Sequence, residues 1–165
     1  PIARWVFIVG KYLGLVALLG VVTLIMASAS SVYILLLGGT LHATFFLAIL
    51  LIYAKLLLIT AFAVLMSALT SPILGAIIVF SVAVFGHATG VFRDLPPQFD
   101  GTPAKAILEG AYYVIPNLSN FDIAREAANG IDVSGAYVVW VLVYGMMYTV
   151  TLLILAALAF QEKDV

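Results

Sequence analysis

Lys55 is the ionisable residue whose position asks most of this chain, because it stands inside an otherwise uncharged apolar stretch running from His42 to about Leu69. A lysine near the centre of a membrane-spanning helix costs roughly 2.5–3.5 kcal/mol on insertion scales. One reading is that Lys55 faces a cavity or an inter-subunit seam and meets an anionic substrate or a carboxylate. The other is that it snorkels, or bonds hydroxyls and carbonyls, without a functional role. No Asp or Glu occurs in the apolar stretches 13–37, 41–69, 72–92 and 135–160. An ion-pair partner would therefore come from another subunit or from sequence beyond this chain, and a proton relay is disfavoured. His42 and His87 are expected near the outer ends of their helices, satisfied by water or a carbonyl. Two histidines with no third ligand at a fixed spacing do not define a metal site.

Tyr137, Trp140, Tyr144 and Tyr148 recur at helical spacing in the last apolar stretch. The first two read as an aromatic belt at a membrane interface. Tyr144 and Tyr148 lie deeper, as packing residues or as a seam or substrate-facing wall. The nucleophile, zinc-protease and phosphate-loop signatures GxSxG, HExxH and GxxxxGK[ST] are all missing. This chain is accordingly expected to perform no covalent chemistry, and any energy source must sit on a partner.

The elements that must hold these residues follow from composition. Of 165 residues, 65% are hydrophobic and 9% charged, against about 25% charged in an ordinary soluble domain. A bilayer-spanning helix needs roughly 20 apolar residues, and the uncharged stretches suffice for four. A soluble enzyme is excluded, and so is a nucleic-acid binder, which needs a basic surface. The absence of cysteine removes disulfides and thiolate metal sites. The chain opens on Pro1 with no cleavable targeting segment in view, and we expect it to begin inside a longer protein.

Four spans are predicted within a single transmembrane domain, 1–165: about 13–37, 41–69, 72–92 and 135–160, preceded by a cytoplasmic segment 1–12. Gly38-Gly39-Thr40 makes a short turn between the first two spans. Thr70-Ser71-Pro72 reads as a hydroxyl N-cap followed by Pro at the first helical position, so spans two and three should be antiparallel neighbours. Segment 93–134 holds four of the six prolines, three basic and six acidic residues. It is expected outside the membrane, with short interfacial helices from Thr102-Pro103 to about Val114 and from about Asn120 to Asn129. The second of these has Asp122 in its first turn and Gly130 as its stop. Four spans put both ends on one side, and the positive-inside rule favours the cytoplasm for them. Gly10–Gly14 and Gly86–Gly90 fit the small-xxx-small pattern of close helix packing, expected within the subunit. The run Ser28-Ala-Ser-Ser31 reads the same way, or as a polar strip on a pathway.

Several strings, taken in order, resemble a known family. Pro1-Ile-Ala-Arg-Trp-Val-Phe-Ile-Val-Gly-Lys-Tyr-Leu-Gly14 resembles the stretch leading into the third transmembrane helix of type-2 ABC transporter permeases. Ser-Ala-Leu-Thr-Ser-Pro at 67–72 looks like the turn before that family's fifth helix. Ala-Tyr-Tyr-Val-Ile-Pro-Asn-Leu-Ser-Asn-Phe at 111–121 resembles its outer segment before the sixth helix, and Phe160 to Val165 its charged ending. Ala3 and Val6 depart from the family's Ser and Glu, and Lys55 matches no family motif. The resemblance implies an all-α polytopic membrane protein whose four helices are the third to sixth of six. It implies a permease of an ATP-driven exporter in the plasma (bacterial inner) membrane, paired with a second permease subunit, identical or homologous. It also implies a separate ATP-binding cassette ATPase that carries the ATP and Mg, with no cofactor in this chain. Arg4, Trp5, Phe7 and Lys11 would form the junction to that ATPase, for which a plain membrane-surface anchor is the other explanation. Lys55, Tyr144 and Tyr148 are the candidate pathway or seam residues. A non-transporting membrane subunit that anchors a larger complex is the alternative; a channel would need a continuous polar stripe that the spans lack.

Overall fold

In hydrocarbon every backbone N–H and C=O must be satisfied within the chain, and the helix does this residue by residue. The computed structural model describes residues 4–87 and 115–161, which contain helices and no strand. In order, these are α1 (Arg4–Leu36), α2 (Ala43–Leu69), α3 (Pro72–His87), a 3₁₀ turn (Leu118–Phe121), α4 (Ala124–Ala128) and α5 (Gly135–Gln161). Trp5–Leu36, Ala43–Leu69 and Gly135–Phe160 are each long and apolar enough to cross a membrane. The described part of α3 is a shorter apolar helix of 16 residues, and residues 88–92 of the expected third span lie outside the described residues. So do the rest of the expected outer segment up to 114, including the helix from 102, and the tail 162–165.

Two of the expected boundaries move. Helix α1 is continuous from Arg4, so the described part of the interface segment 1–12 is the first turns of the first span's own helix. At about 1.5 Å per residue its 33 residues measure about 50 Å, well beyond a hydrocarbon core of about 30 Å. The short helix expected from Asn120 to Asn129 is instead a 3₁₀ turn followed by five residues of α4. Asp122 precedes α4 rather than occupying its first turn, and its Oδ1 accepts from the Ala124 N–H.

Glycine sets two of the reversals. Gly38 has φ +75° and Gly130 φ +64°, backbone that costs an L side chain strain and costs glycine nothing. At the end of α1 the Gly39 N–H donates to the Ile34 carbonyl and Gly38 N–H to Leu35. At the end of α4 the Ile131 N–H donates to Glu126 and Gly130 N–H to Ala127. Both are the Schellman arrangement, which satisfies carbonyls the helix leaves open. Between α2 and α3, the Thr70 amide and hydroxyl both donate to the Met66 carbonyl, closing α2. Pro72 then opens α3, with the Gly75 N–H donating to Ser71.

Helix α2 is the hub against which α1, α3, α4, the 3₁₀ turn and, most extensively, α5 pack. The Gly38–His42 turn, α4 and the start of α5 lie together at one end of the bundle, the turn end. Trp5, Leu69 and Phe160 lie at the other, the tail end. One apolar core sits toward the turn end, around Leu51, Leu58, Leu118, Phe121 and Val141. A second sits toward the tail end, around Ile8, Tyr12, Ala61, Val64 and Ala156. Tyr53 lies against Gly20 of α1 and donates its hydroxyl proton to the Val16 carbonyl at 3.0 Å, fixing the α1–α2 register.

Candidate functional site

The centre of interest is the level of Lys55. It is the thirteenth of 27 residues in α2, about 18 Å from the first at about 1.5 Å per residue, and thus at mid-depth. Its Nζ lies 3.2 Å from His87 Nε2. Nδ1 of the same imidazole is 2.8 Å from the Ala83 carbonyl, and a carbonyl only accepts. Nδ1 therefore carries the ring proton, and Nε2 presents its lone pair to the ammonium.

His87 is the last residue of the described part of α3, the helix end expected of it, but it stands level with the middle of α2 rather than at an outer interface. Lys55 thus has a hydrogen-bond partner within this chain, an imidazole and not the carboxylate of an ion pair. The reason is counting along a hairpin: Lys55 and His87 each stand 16 residues from Ser71, the turn residue between two antiparallel helices. The pair lies on the surface of the subunit.

Above it, toward the turn end, residues 116–121 pack within the bundle. Leu118 and Phe121 are fully buried, not laid on an interface as their segment was expected to be. Gly86 makes room for this: a Cβ there would stand 2.8 Å from Leu118 Cγ and 2.9 Å from the Pro116 carbonyl oxygen. Gly145 does the same on α5, where a Cβ would meet Phe121 Cζ at 2.9 Å. Gly145 is about 15 Å along α5 from its start, so Phe121 reaches far into the bundle. The Asn117 side chain accepts from the Ser119 N–H and orders the 3₁₀ turn. From there the chain rises to the turn end, where the Thr44 hydroxyl donates to Ile131 O at 3.0 Å.

Tyr144 and Tyr148 serve this buried segment. The Asn117 N–H donates to the Tyr144 hydroxyl at 2.9 Å, and the Tyr144 ring lies 6.3 Å from Phe121 and 4.9 Å from Tyr148. Tyr137 donates to Asn120 O at 2.8 Å. Trp140 is 73% exposed and turns away from the other three. Pro116, Asn117 and Phe121 were read only as part of the 111–121 string, with no site role, and Gly145 was not singled out; an isolated glycine inside an apolar helix was the available signal for it.

At the tail end, Phe7 stacks on Phe160 with centroids 5.8 Å apart, and Lys11 Nζ donates to Ser67 Oγ at 2.9 Å. Trp5 is 55% exposed and, at about 100° per residue, stands on a different face of α1 from both. Of the four proposed junction residues the structure thus brings Phe7 and Lys11 to one face of α1; the Arg4 side chain lies outside the described residues. Gly10 and Gly14 face open space, so this small-residue pair is not an internal packing site, whereas Gly86 is one; Gly90 lies outside the described residues. Ser28, Ser30 and Ser31 each donate to the carbonyl four residues back, which satisfies a hydroxyl in hydrocarbon within its own helix. No family model, curated protein or solved structure matches this chain.

Proposed function

We propose that this chain is the pathway-forming part of a type-2 ABC exporter permease, its apolar helices being the third to sixth of six, inserted in a bacterial inner membrane with both ends cytoplasmic. The observation that carries this reading is the Lys55–His87 pair at mid-depth on the subunit surface. An ammonium there cannot face lipid tails cheaply, so it faces a water-filled path or a second permease subunit. Non-helical backbone at membrane depth, as at Pro116–Asn117, is tolerated where it is buried in protein or lines a cavity, an arrangement common in transporters. In this reading ATP binding to the separate ATPase moves the tail end of α1, where Trp5, Phe7 and Lys11 stand, and the permease pair rocks between inward and outward states.

The test is purification of the full complex from its native membrane. An ATP-binding cassette subunit should copurify, and Trp5→Ala should lower its ATP turnover. Trp5 is largely exposed, so the chain's own stability should change by no more than about 0.5 kcal/mol. A complex without an ATPase, or turnover indifferent to Trp5, refutes the exporter.

A further inference from the structure

A cavity of about 720 Å³ opens between α1, α2 and α4, away from the Lys55–His87 pair. Its volume falls in the range of small-molecule sites. We infer that it holds one acyl chain of a membrane glycerophospholipid, from the leaflet at the turn end.

Three observations select that occupant. First, polarity runs along the cavity. Thr40, His42 and Asn129 line one end of it, while Met26, Ile49 and Ile52 line the rest together with Thr23 and with Ser30, whose hydroxyl is taken up by the Met26 carbonyl. Thr40, His42 and Asn129 share the turn end: Thr40 Oγ1 is 3.1 Å from His42 Nε2, and a Cβ on Gly130, next to Asn129, would stand 3.1 Å from that same nitrogen. Second, the dimension fits. Ten residues separate His42 from Ile52 along α2, about 15 Å, which is half of a hydrocarbon core of about 30 Å and so the depth of one leaflet. Third, the described lining holds no Asp, Glu, Lys or Arg. The polar end offers hydroxyl, amide and imidazole groups that suit an ester carbonyl. The small residues Ala124, Ala127 and Ala128 of α4 line the same cavity and leave its width open.

The site requires a bilayer and not an ATPase, so a chain that retains lipid but binds no ATPase sinks only the exporter reading. The experiment uses the full chain extracted in mild detergent and native mass spectrometry of retained phospholipid. One lipid per chain should survive delipidation. Ser30→Phe and Ala128→Phe, at cavity-lining positions that are exposed in the free chain, should each lower its retention about tenfold, equivalent to about 1.4 kcal/mol. Met147→Phe, on the exposed face of α5, should not. A phospholipid with a photoreactive acyl chain, reconstituted with the wild-type chain, should label Met26, Ile49 and Ile52 above Met146 and Val150. The labelling map decides alone if a filled variant fails to fold. Retention equal in all variants, labelling equal on α5, or cross-links from Ile49 to a second copy or to residues 88–114 in place of lipid, overturns the site.

Discussion

Replacing Lys55 by Met and His87 by Leu, singly and together, separates what the mid-depth pair does for the fold from what it does for transport. The α2 helix places Lys55 about 18 Å from its turn end, while a lysine stem built from bonds of about 1.5 Å reaches roughly 6 Å. The ammonium therefore stays in the hydrocarbon or in a wet seam, and snorkelling does not release it. Removing the charge should make α2 easier to insert by about 2.5–3.5 kcal/mol in a translocon assay. The hydrogen bond to His87 Nε2, 3.2 Å long, should appear in the double-mutant cycle as a coupling of about 0.6–1.7 kcal/mol, the span measured for polar pairs between membrane helices. Reversible unfolding in lipid–detergent mixtures reads that term, and ATP turnover by the assembled complex reads the function. Lys55→Met should thus insert better yet support little coupled turnover, as expected where function retains a residue that costs stability. A coupling indistinguishable from zero would refute the pairing. Full turnover in Lys55→Met would refute a pathway or seam role.

Segment 116–121 makes two further predictions. Gly145→Val drives new atoms into the Phe121 ring, which a Cβ alone would meet at 2.9 Å, and should destabilise the bundle by about 1–3 kcal/mol. Phe121→Ala in the same chain should recover part of this, and failure to do so in unfolding titrations would place the clash elsewhere. Tyr144→Phe removes the hydroxyl that accepts from the Asn117 N–H and should cost about 0.5–1.5 kcal/mol. Hydrogen exchange at Asn117 should quicken while the amides at the tail end of α5 stay protected; uniform quickening would mean that Tyr144 supports the whole helix rather than the segment.

The long helices were legible in the sequence because a membrane span needs only length and lack of charge, and the turns were legible because Gly38, Gly130 and Pro72 each have a backbone reason to be there. The depth of the pieces was not. Lys55 and His87 were each noticed alone, yet the hairpin that equalises their distance from Ser71 pairs them, and a reading of single spans does not count across a turn. Leu118 and Phe121 looked interfacial because they sit among polar residues and prolines; what buries them is space left by Gly86 and Gly145 on two other helices. Such complementarity belongs to tertiary packing and leaves in the sequence only an isolated glycine. The tyrosines were legible as a stripe, while their hydrogen bonds to the 3₁₀ segment depended on a fold that the spacing alone does not specify.

Exposure must be read differently on this chain than on a soluble one. Leu18, Leu24, Ile25 and Met26 of α1 are each 60–67% exposed, which in water would mark a docking face. In hydrocarbon the same face is at rest, because lipid tails are as apolar as leucine and give no hydrophobic reason for another helix to cover it. The informative exposure is the polar one. Among the described residues Lys55 and His87 satisfy one hydrogen bond between them, and the other two protons of the ammonium need acceptors at a depth where lipid offers none. That residual demand, and not the apolar area of α1, is the physical reason to expect water or a second subunit against the α2–α3 face.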